Sequence, residues 1–258
     1  MTVAEIAFVL DKSISMRPMK DEAIGSLNGF VDDQKALPGE ARMTLTQFST
    51  FCEINYVSKP IKQCPHLNDH TYVPQGMTAL YDAIGQTVDE MASRINGMPT
   101  EPDKKIVVIL TDGEENSSKE YNIHRLKMLI ERKVLEGWEF IFLAQNLTMS
   151  AAQATARQMG IDDTSKNCFV SAVKKGKDGL VAGTRGASHA VASSRTQGFI
   201  DKTGTRKVID GIVPVDEDGL AKEADAPPPL IKAKSRPLAA AKKKPKKRGF
   251  KKPKKKKS

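Results

Sequence analysis

The stretch that decides the fold is Ile6-Ala7-Phe8-Val9-Leu10-Asp11-Lys12-Ser13-Ile14-Ser15, near the start of the sequence. Its first five residues are apolar, which predicts a short strand buried inside the molecule. The strand is followed by one carboxylate, at Asp11, and by two hydroxyls, at Ser13 and Ser15. Hard oxygen groups in a small cluster suit Mg²⁺, Mn²⁺ or Ca²⁺ better than zinc. Asp and Ser are also common helix N-caps, so this pattern alone does not separate a metal site from a helix start.

Predicted strands and helices alternate along the chain up to about residue 200. Apolar runs predict further strands at 43–49, 52–57, 105–110, 138–144 and 169–173, and helices are predicted at 19–36, 79–96, 122–136, 149–159 and 180–196. The very short link between the second and third strands forces them to pair antiparallel. The alternation of the other strands with helices is typical of a parallel sheet covered on both faces. The predicted fold class is α/β: a Rossmann-like, doubly wound, mostly parallel sheet with one antiparallel edge strand and helices on both faces.

Composition divides the chain of 258 residues into three parts. Residues 1–200 are predicted to form the folded domain, and 201–226, which show little periodicity, a poorly structured extension. Residues 227–258 form a Pro- and Lys-rich basic tail with too little apolar content for a core, so we expect disorder there. Residues 241–258 hold 12 Lys and Arg and no acid, whereas the preceding residues hold 29 basic and 31 acidic side chains. The tail therefore supplies the net charge of +10.

Two aspartates are predicted to meet where the order of the strands reverses. In a doubly wound sheet, ligands bind beyond the carboxyl ends of the strands at that point. Asp11 ends the first strand, and Asp112 follows the apolar run at 106–110. If the hairpin extends the sheet to one side and the later strands extend it to the other, these two strands are neighbours. Asp11, Ser13, Ser15 and Asp112 would then share one crevice.

Three segments of the chain together resemble the metal-ion-dependent adhesion site of the von Willebrand factor A domain family. The segments are Asp11-Lys12-Ser13-Ile14-Ser15, Gly76-Met77-Thr78-Ala79-Leu80-Tyr81-Asp82-Ala83 and Leu110-Thr111-Asp112-Gly113-Glu114. They stand in the family's order, and the resemblance covers about residues 1–200. Other phrases, such as the run at 138–143, look most similar to small stand-alone bacterial and phage members. Ile14 and Gln75 stand where glycine is frequent in the family, and neither is a metal-binding position.

The resemblance implies a division of labour among five predicted metal-site residues: Asp11, Ser13, Ser15, Thr78 and Asp112. The three hydroxyls are expected to coordinate Mg²⁺ directly, with Mn²⁺ or Ca²⁺ as alternatives, while the two aspartates act through water and hydrogen bonds. An open coordination position is expected to take an Asp or Glu carboxylate of a partner protein. The expected function is a non-enzymatic, metal-dependent protein-binding module.

Two residues near this site can be explained either by a purely structural role or by a role in the metal site. Thr78 precedes a predicted helix, so it is either a simple N-cap or a third hydroxyl at the rim of the crevice. Glu114 either adds negative charge behind the metal or is a solvated acid of the loop.

Two further functions compete with the binding module. The Lys-rich run at 242–257 suits nonspecific, salt-sensitive contact with nucleic acid or another polyanion, and in that alternative the folded domain is a scaffold. Such a run can also be merely solvated. A remote alternative is a phosphotransferase or phosphatase with Asp11 as the nucleophile. Those enzymes usually carry a second acid two residues later, where this chain has Ser13, and no basic phosphate clamp is evident.

Cysteine content and hydropathy favour a cytoplasmic protein, in the host cytoplasm if a phage encodes it; nuclear import through the tail is less favoured. No apolar run approaches the ~18–20 residues of a transmembrane helix, and we expect no signal peptide. Cys52, Cys64 and Cys168 fit free thiols in a reducing compartment better than a disulfide framework. Cys52 and Cys64 with His66 and His70 form a weak zinc pattern, because they lack the closely spaced cysteine pair of structural zinc sites.

Overall fold

Strand β1 (Val3–Asp11) lies inside a six-stranded sheet and pairs in parallel with a neighbour on each side. The structure is a computed structural model, and it describes residues 3–174 and 176–212. The other strands are β2 (Glu40–Phe48), β3 (Cys52–Pro60), β4 (Lys104–Thr111), β5 (Glu139–Gln145) and β6 (Cys168–Val173). The order is β3-β2-β1-β4-β5-β6, and β3 is the antiparallel edge strand of this described sheet. The predicted mostly parallel sheet is confirmed.

Helices cover both faces of the sheet, as predicted. They are α1 (Lys20–Ala36), α2 (Leu80–Asn96), α3 (Ile123–Leu135), α4 (Met149–Gln158), α5 (Lys177–Gln197) and α6 (Lys202–Ile212). One apolar core lies between the sheet and the helices α1 and α5. A second core lies between the opposite face and the helices α2, α3 and α4.

The apolar composition of β1 follows from its position between these two cores. Successive side chains of a strand point to opposite faces, so a strand covered on both sides has to be apolar throughout. Phe8 packs edge-to-face against Phe30 of α1, with ring centroids 5.0 Å apart. Val9, the next residue, belongs to the opposite core. Burial of each such side chain contributes about 1.5–3 kcal/mol to folding.

The strand order reverses between β1 and β4. The chain extends the sheet on one side through β2 and β3, and on the other side through β4, β5 and β6. Leu10 pairs with Leu110, so the carboxyl ends of β1 and β4 lie side by side. The predicted neighbourhood of these two strands is confirmed, and it places Asp11 and Asp112 at the same edge.

The prediction of little structure after residue 200 is wrong for residues 202–212, which form α6. The sequence of this helix contains two glycines and few apolar residues, so the hydrophobic pattern does not predict a helix there. Its stability comes from tertiary contacts with α5 and with the segment before β6. A Cβ atom on Gly186 of α5 would lie 2.4 Å from Ile209 Cγ1, so only a glycine lets α6 approach this closely.

Residues 213–226 and the tail 227–258 lie outside the described residues, so their predicted disorder stays a prediction. Among the helices that the structure describes, none combines the length and the apolar content needed to cross a bilayer.

Candidate metal centre

The Asp11 carboxylate is held in place at the carboxyl end of β1. It is fully buried, and its Oδ1 accepts a hydrogen bond of 2.7 Å from the backbone N–H of Ser13. Its Oδ2 accepts one of 2.7 Å from the hydroxyl of Thr111, the last residue of β4. Tyr72 donates from its hydroxyl to the Asp11 carbonyl at 2.7 Å. The loop after β1 and the end of β4 therefore orient this carboxylate, and the loop that carries Tyr72 holds the backbone of Asp11.

A chain of hydrogen bonds links the two serines to the second aspartate. The hydroxyls of Ser13 and Ser15 are 2.9 Å apart, and Ser15 donates to Asp112 Oδ1 at 2.8 Å. Ser13 stands at the N-cap position of the 3-10 turn Ile14–Met19, yet its side chain makes no capping hydrogen bond. Its hydroxyl is thus directed to Ser15 instead of to the turn, which argues against the ordinary N-cap reading of this motif.

The Thr78 hydroxyl reaches the same small space. A Cβ atom on Gly113 would lie 3.2 Å from Thr78 Oγ1 and 3.8 Å from Ser15 Oγ, so both hydroxyls face the backbone that follows Asp112. The N-cap residue of α2 is Ala79, whose side chain cannot cap the helix, and Glu115 and Ser118 accept hydrogen bonds from first-turn N–H groups instead. Thr78 instead binds the loop after β4, because its N–H donates to Asn116 Oδ1 at 2.8 Å. The structure therefore brings all five predicted residues together.

The two aspartates are buried acids without a basic partner among the described residues. Burial is the largest cause that raises the pKa of Asp11 to about 6, with a smaller contribution from the charge of Asp112. Hydrogen bonds from Ser13 and Thr111 lower the pKa of Asp11 and offset part of that effect. Burial also raises the pKa of Asp112, partly offset by the hydrogen bond from Ser15. A bound cation would neutralise this excess of negative charge.

The donor set fits a hard cation. Three hydroxyls and two carboxylates are oxygen groups of the kind that Mg²⁺ accepts while it retains several waters. Within residues 3–174 and 176–212, no group of three or more His, Cys, Asp and Glu side chains is placed to hold a metal. The weak zinc pattern is accordingly not assembled: Cys64 Sγ contacts backbone carbonyls, and His66 Nε2 lies 2.8 Å from Asp32 Oδ1.

The loop that carries Thr78 is tied to the serine loop by its backbone. Gln75 N–H donates to the Lys12 carbonyl at 2.8 Å, and Ile14 N–H donates to the Gly76 carbonyl at 3.1 Å. Gly76 has a φ of +72°, and a Cβ atom there would lie 2.5 Å from Thr50 Oγ1. Only glycine combines this backbone conformation with this close approach. Glycine at position 76 is thus required by the site's own loop packing.

Acidic residues behind the site hold the loop between β4 and α3. Glu114 is exposed, in line with its reading as a solvated acid. Glu115 accepts hydrogen bonds from the backbone N–H groups of Tyr81, Ser117 and Ser118 at 2.7–2.9 Å. Asp82 in the first turn of α2 accepts three more, from the N–H groups of residues 119–121.

Sequence reasoning missed three residues that support the centre. Thr111 directly precedes Asp112, and its position at a strand end next to an aspartate was an available signal. Tyr72 and Asn116 lie in loops and carry no pattern that points to the site. Their roles follow from contacts that only the folded chain makes, over 61 residues to Asp11 and 38 residues to Thr78.

The family model of the von Willebrand factor type A domain matches residues 5–181. The chain belongs to this family. The matched residues of this von Willebrand factor type A domain include β1 from Glu5 onward, the other five strands and both segments that carry the aspartates. A comparison with curated proteins gives no match.

Solved structures with a similar fold include other members of the family and bacterial surface proteins. A von Willebrand factor type A protein from Catenulispora acidiphila is 14% identical, with a TM-score of 0.50 over 74% of this chain and 43% of that one. The D319A mutant of the PilB minor pilin from Streptococcus sanguinis is 12% identical, with a TM-score of 0.52 over 75% and 62%. The pilus adhesin SpaC from Lactobacillus rhamnosus GG is 11% identical, with a TM-score of 0.55 over 76% and 31%. This chain spans less than two thirds of each of these proteins, and the likeness concerns the fold.

Proposed function

We propose that this von Willebrand factor type A domain is a non-enzymatic module that binds a partner protein through a divalent metal ion. The observation that carries the proposal is the hydrogen-bonded series Ser13–Ser15–Asp112, closed by Thr78 at one edge of the sheet. Ser13, Ser15 and Thr78 would hold Mg²⁺, or Mn²⁺ or Ca²⁺, and Asp11 and Asp112 would orient these hydroxyls. Membership of the family supports this reading at the level of a metal-dependent interaction module.

The chemistry of the site explains why the partner would offer an acid. Neutral hydroxyl ligands leave most of the charge of a divalent ion uncompensated, and Mg²⁺ readily keeps coordination positions for groups from outside the protein. An Asp or Glu carboxylate is a hard, anionic donor that suits such a position. The ion would supply the attraction, while the residues of this chain would fix the position of the ion.

The environment of Asp11 argues against phosphotransfer. Both of its oxygens accept hydrogen bonds, and the residue is fully buried, so it presents no free carboxylate to a phosphate. The position two residues later is Ser13, whereas aspartyl phosphotransferases commonly carry an acid there. Hydrolysis of p-nitrophenyl phosphate by the purified protein, abolished in Asp11→Asn, would favour the enzyme instead.

Metal dependence is tested directly on the full chain. We expect Mg²⁺ to raise the melting temperature, EDTA to reverse this, and Ser13→Ala to respond to neither, whereas the exposed Ser150→Ala behaves as the parent protein. Proteins captured from a lysate in Mg²⁺, released by chelator and identified by mass spectrometry would name the partner. If the parent protein captured the same proteins equally in Mg²⁺ and in EDTA, and Asp11→Ala captured them as well, the proposal would be refuted.

A second candidate role rests on the tail, whose residues 241–258 hold 12 basic and no acidic side chains. We propose that it adds nonspecific contact with nucleic acid or another polyanion in the cytoplasm. Binding through phosphates weakens steeply with salt. A gel shift over a salt titration should therefore show binding by the full chain that falls with salt and is lost in a chain ending at residue 226. Unchanged binding after this truncation would exclude the tail.

A further inference from the structure

Four large apolar side chains are exposed in the loops around the candidate metal centre. We call Ile14, Phe51, Val73 and Met77 the apolar rim. They are 48%, 69%, 48% and 52% exposed, respectively. Large apolar side chains that remain in water within one neighbourhood commonly mark an interaction surface.

Three of the four rim residues are next in sequence to a residue that builds the centre. Ile14 lies between Ser13 and Ser15, and Met77 directly precedes Thr78. Val73 follows Tyr72, whose hydroxyl holds the Asp11 carbonyl. The rim is thus contiguous with the proposed metal position.

Hydrogen bonds join these loops into one platform. Met77 N–H donates to Thr50 Oγ1 at 2.9 Å, which attaches the Thr78 loop to the turn that carries Phe51. Within that turn, Ser49 N–H donates to the Phe51 carbonyl at 3.0 Å, and Ala79 N–H donates to the Ser49 carbonyl at 2.8 Å. A partner would therefore meet a surface that is already ordered, which lowers the entropy that binding has to overcome.

The other side of the crevice has a different character. A cavity of about 450 Å³ beside Asp112 is lined by Glu114 and Glu115 together with polar and apolar side chains, and no Lys or Arg is among its lining residues. A run of several acids in a partner would be repelled there, although one carboxylate is attracted by the metal. The negative charge on this side therefore favours a partner with one isolated acid over a partner with several acids.

We propose that the partner offers a single acidic residue directly next to a large apolar residue, whose side chain covers the apolar rim while the carboxylate reaches the metal. The metal-bound carboxylate rests on the proposed function, whereas the apolar contact does not. This identifies the ligand class as an acidic–apolar peptide motif and excludes poly-acidic segments.

The test is a library of random heptapeptides displayed on phage. The full chain is immobilised in Mg²⁺, and bound phage are eluted first with Mg²⁺ buffer and then with EDTA. The same selection is run on the double variant Phe51→Ser/Met77→Ser. Met128→Ser/Leu135→Ser is the matched control, because these side chains of α3 are 73% and 89% exposed but lie away from the site.

We expect the parent protein and the α3 control to enrich sequences with one acid beside Phe, Leu, Ile or Met, released by EDTA. A synthetic peptide of the most enriched sequence should bind the rim double variant about tenfold or more weakly, since an apolar contact of one side chain is lost. Mg²⁺ should stabilise that variant as much as the parent, which shows that the metal centre is intact.

Two results would overturn the inference: enrichment of acid-rich sequences without a neighbouring apolar residue, or equal binding of the enriched peptide by the rim variant. A different pattern would overturn only the proposed function. In that case the acidic–apolar peptides are enriched and depend on the rim, yet EDTA does not release them.

Discussion

Ser15 donates a hydrogen bond of 2.8 Å to Asp112 across 97 residues of sequence. This contact joins the loop after β1 to the end of β4. These are the two neighbouring strands between which the strand order reverses. It also places a hydroxyl beside a buried acid whose pKa is raised by burial. The same geometry that costs stability in the metal-free protein is suited to hold a cation.

Removal of the Asp112 charge should have opposite effects without and with metal. Because the folded state raises the pKa of this carboxyl, its ionised form destabilises the metal-free fold at neutral pH. We expect Asp112→Asn to melt at the same or a higher temperature than the parent protein in EDTA. In Mg²⁺ it should lack the stabilisation that the parent gains, about 2.7 kcal/mol at a hundredfold excess over Kd. Glu40→Gln, an exposed acid at the start of β2, is the control, and a full Mg²⁺ response of Asp112→Asn would contradict the assignment.

Gly76→Ala should weaken the fold and the metal centre together. The new Cβ atom would meet Thr50 Oγ1 at 2.5 Å in a backbone conformation that disfavours side chains. We expect a loss of about 1–3 kcal/mol in urea unfolding and a lower affinity for Mg²⁺. Gly137→Ala separates the two causes, because Gly137 also has a positive φ, of +82°, but has nothing within 4 Å of its Cβ position. Equal losses in the two variants would show that the contact with Thr50 is unimportant.

The thiols should react slowly in the native protein. Burial raises the pKa of Cys52 to about 12, with help from the charges of Asp82, Glu120 and Glu53, and raises the pKa of Cys168 to about 11. Burial also raises the pKa of Cys64. Since the thiolate is the reactive form, at pH 8 only about one Cys168 side chain in a thousand is reactive. Titration with a disulfide reagent at pH 8 should be slow until guanidinium is added, and a rapid reaction of all three thiols in the native protein would contradict this.

Arg206→Ala should loosen α6. Arg206 lies 2.6 Å from Asp163 Oδ2, and its guanidinium lies 5.0 Å from the ring of Phe169. Its loss leaves a largely buried acid without its shortest ion pair, which we expect to cost about 1–3 kcal/mol. Hydrogen exchange of the α6 amides should accelerate as well. Lys207→Ala on the exposed side of the same helix is the control, and equal exchange in both variants would show that the ion pair does not hold α6.

Most of the sheet was predictable because its strands have to be apolar. The strands β1, β4 and β5 are covered on both faces, so their sequences are continuous apolar runs that are easy to recognise. The hairpin was predictable from its short link. The helix α6 was not predictable, because its stability depends on Gly186 of α5 and on Asp163, and neither shows in its own sequence.

The five candidate metal-site residues were predictable only as a set of motifs. Each motif alone has an ordinary reading as an N-cap or a loop acid, and the alignment of β1 with β4 is what gives them a common position. Loop packing decides the supporting contacts of Thr111, Tyr72 and Asn116 and the exposure of the apolar rim. Loop packing could not be predicted from the residue pattern.

The sequence by itself determined the alternation of strands and helices and the identity of the oxygen groups that follow β1 and β4, whereas the strand order that brings them together came from the structure. It could do so because burial on two faces, short links and strand ends each impose local residue patterns. Tertiary structure alone decided that Ser13 and Thr78 do not cap helices, that Gly76 must be glycine and that four apolar side chains surround the centre. Those features depend on hydrogen bonds and close contacts between residues that are tens of positions apart.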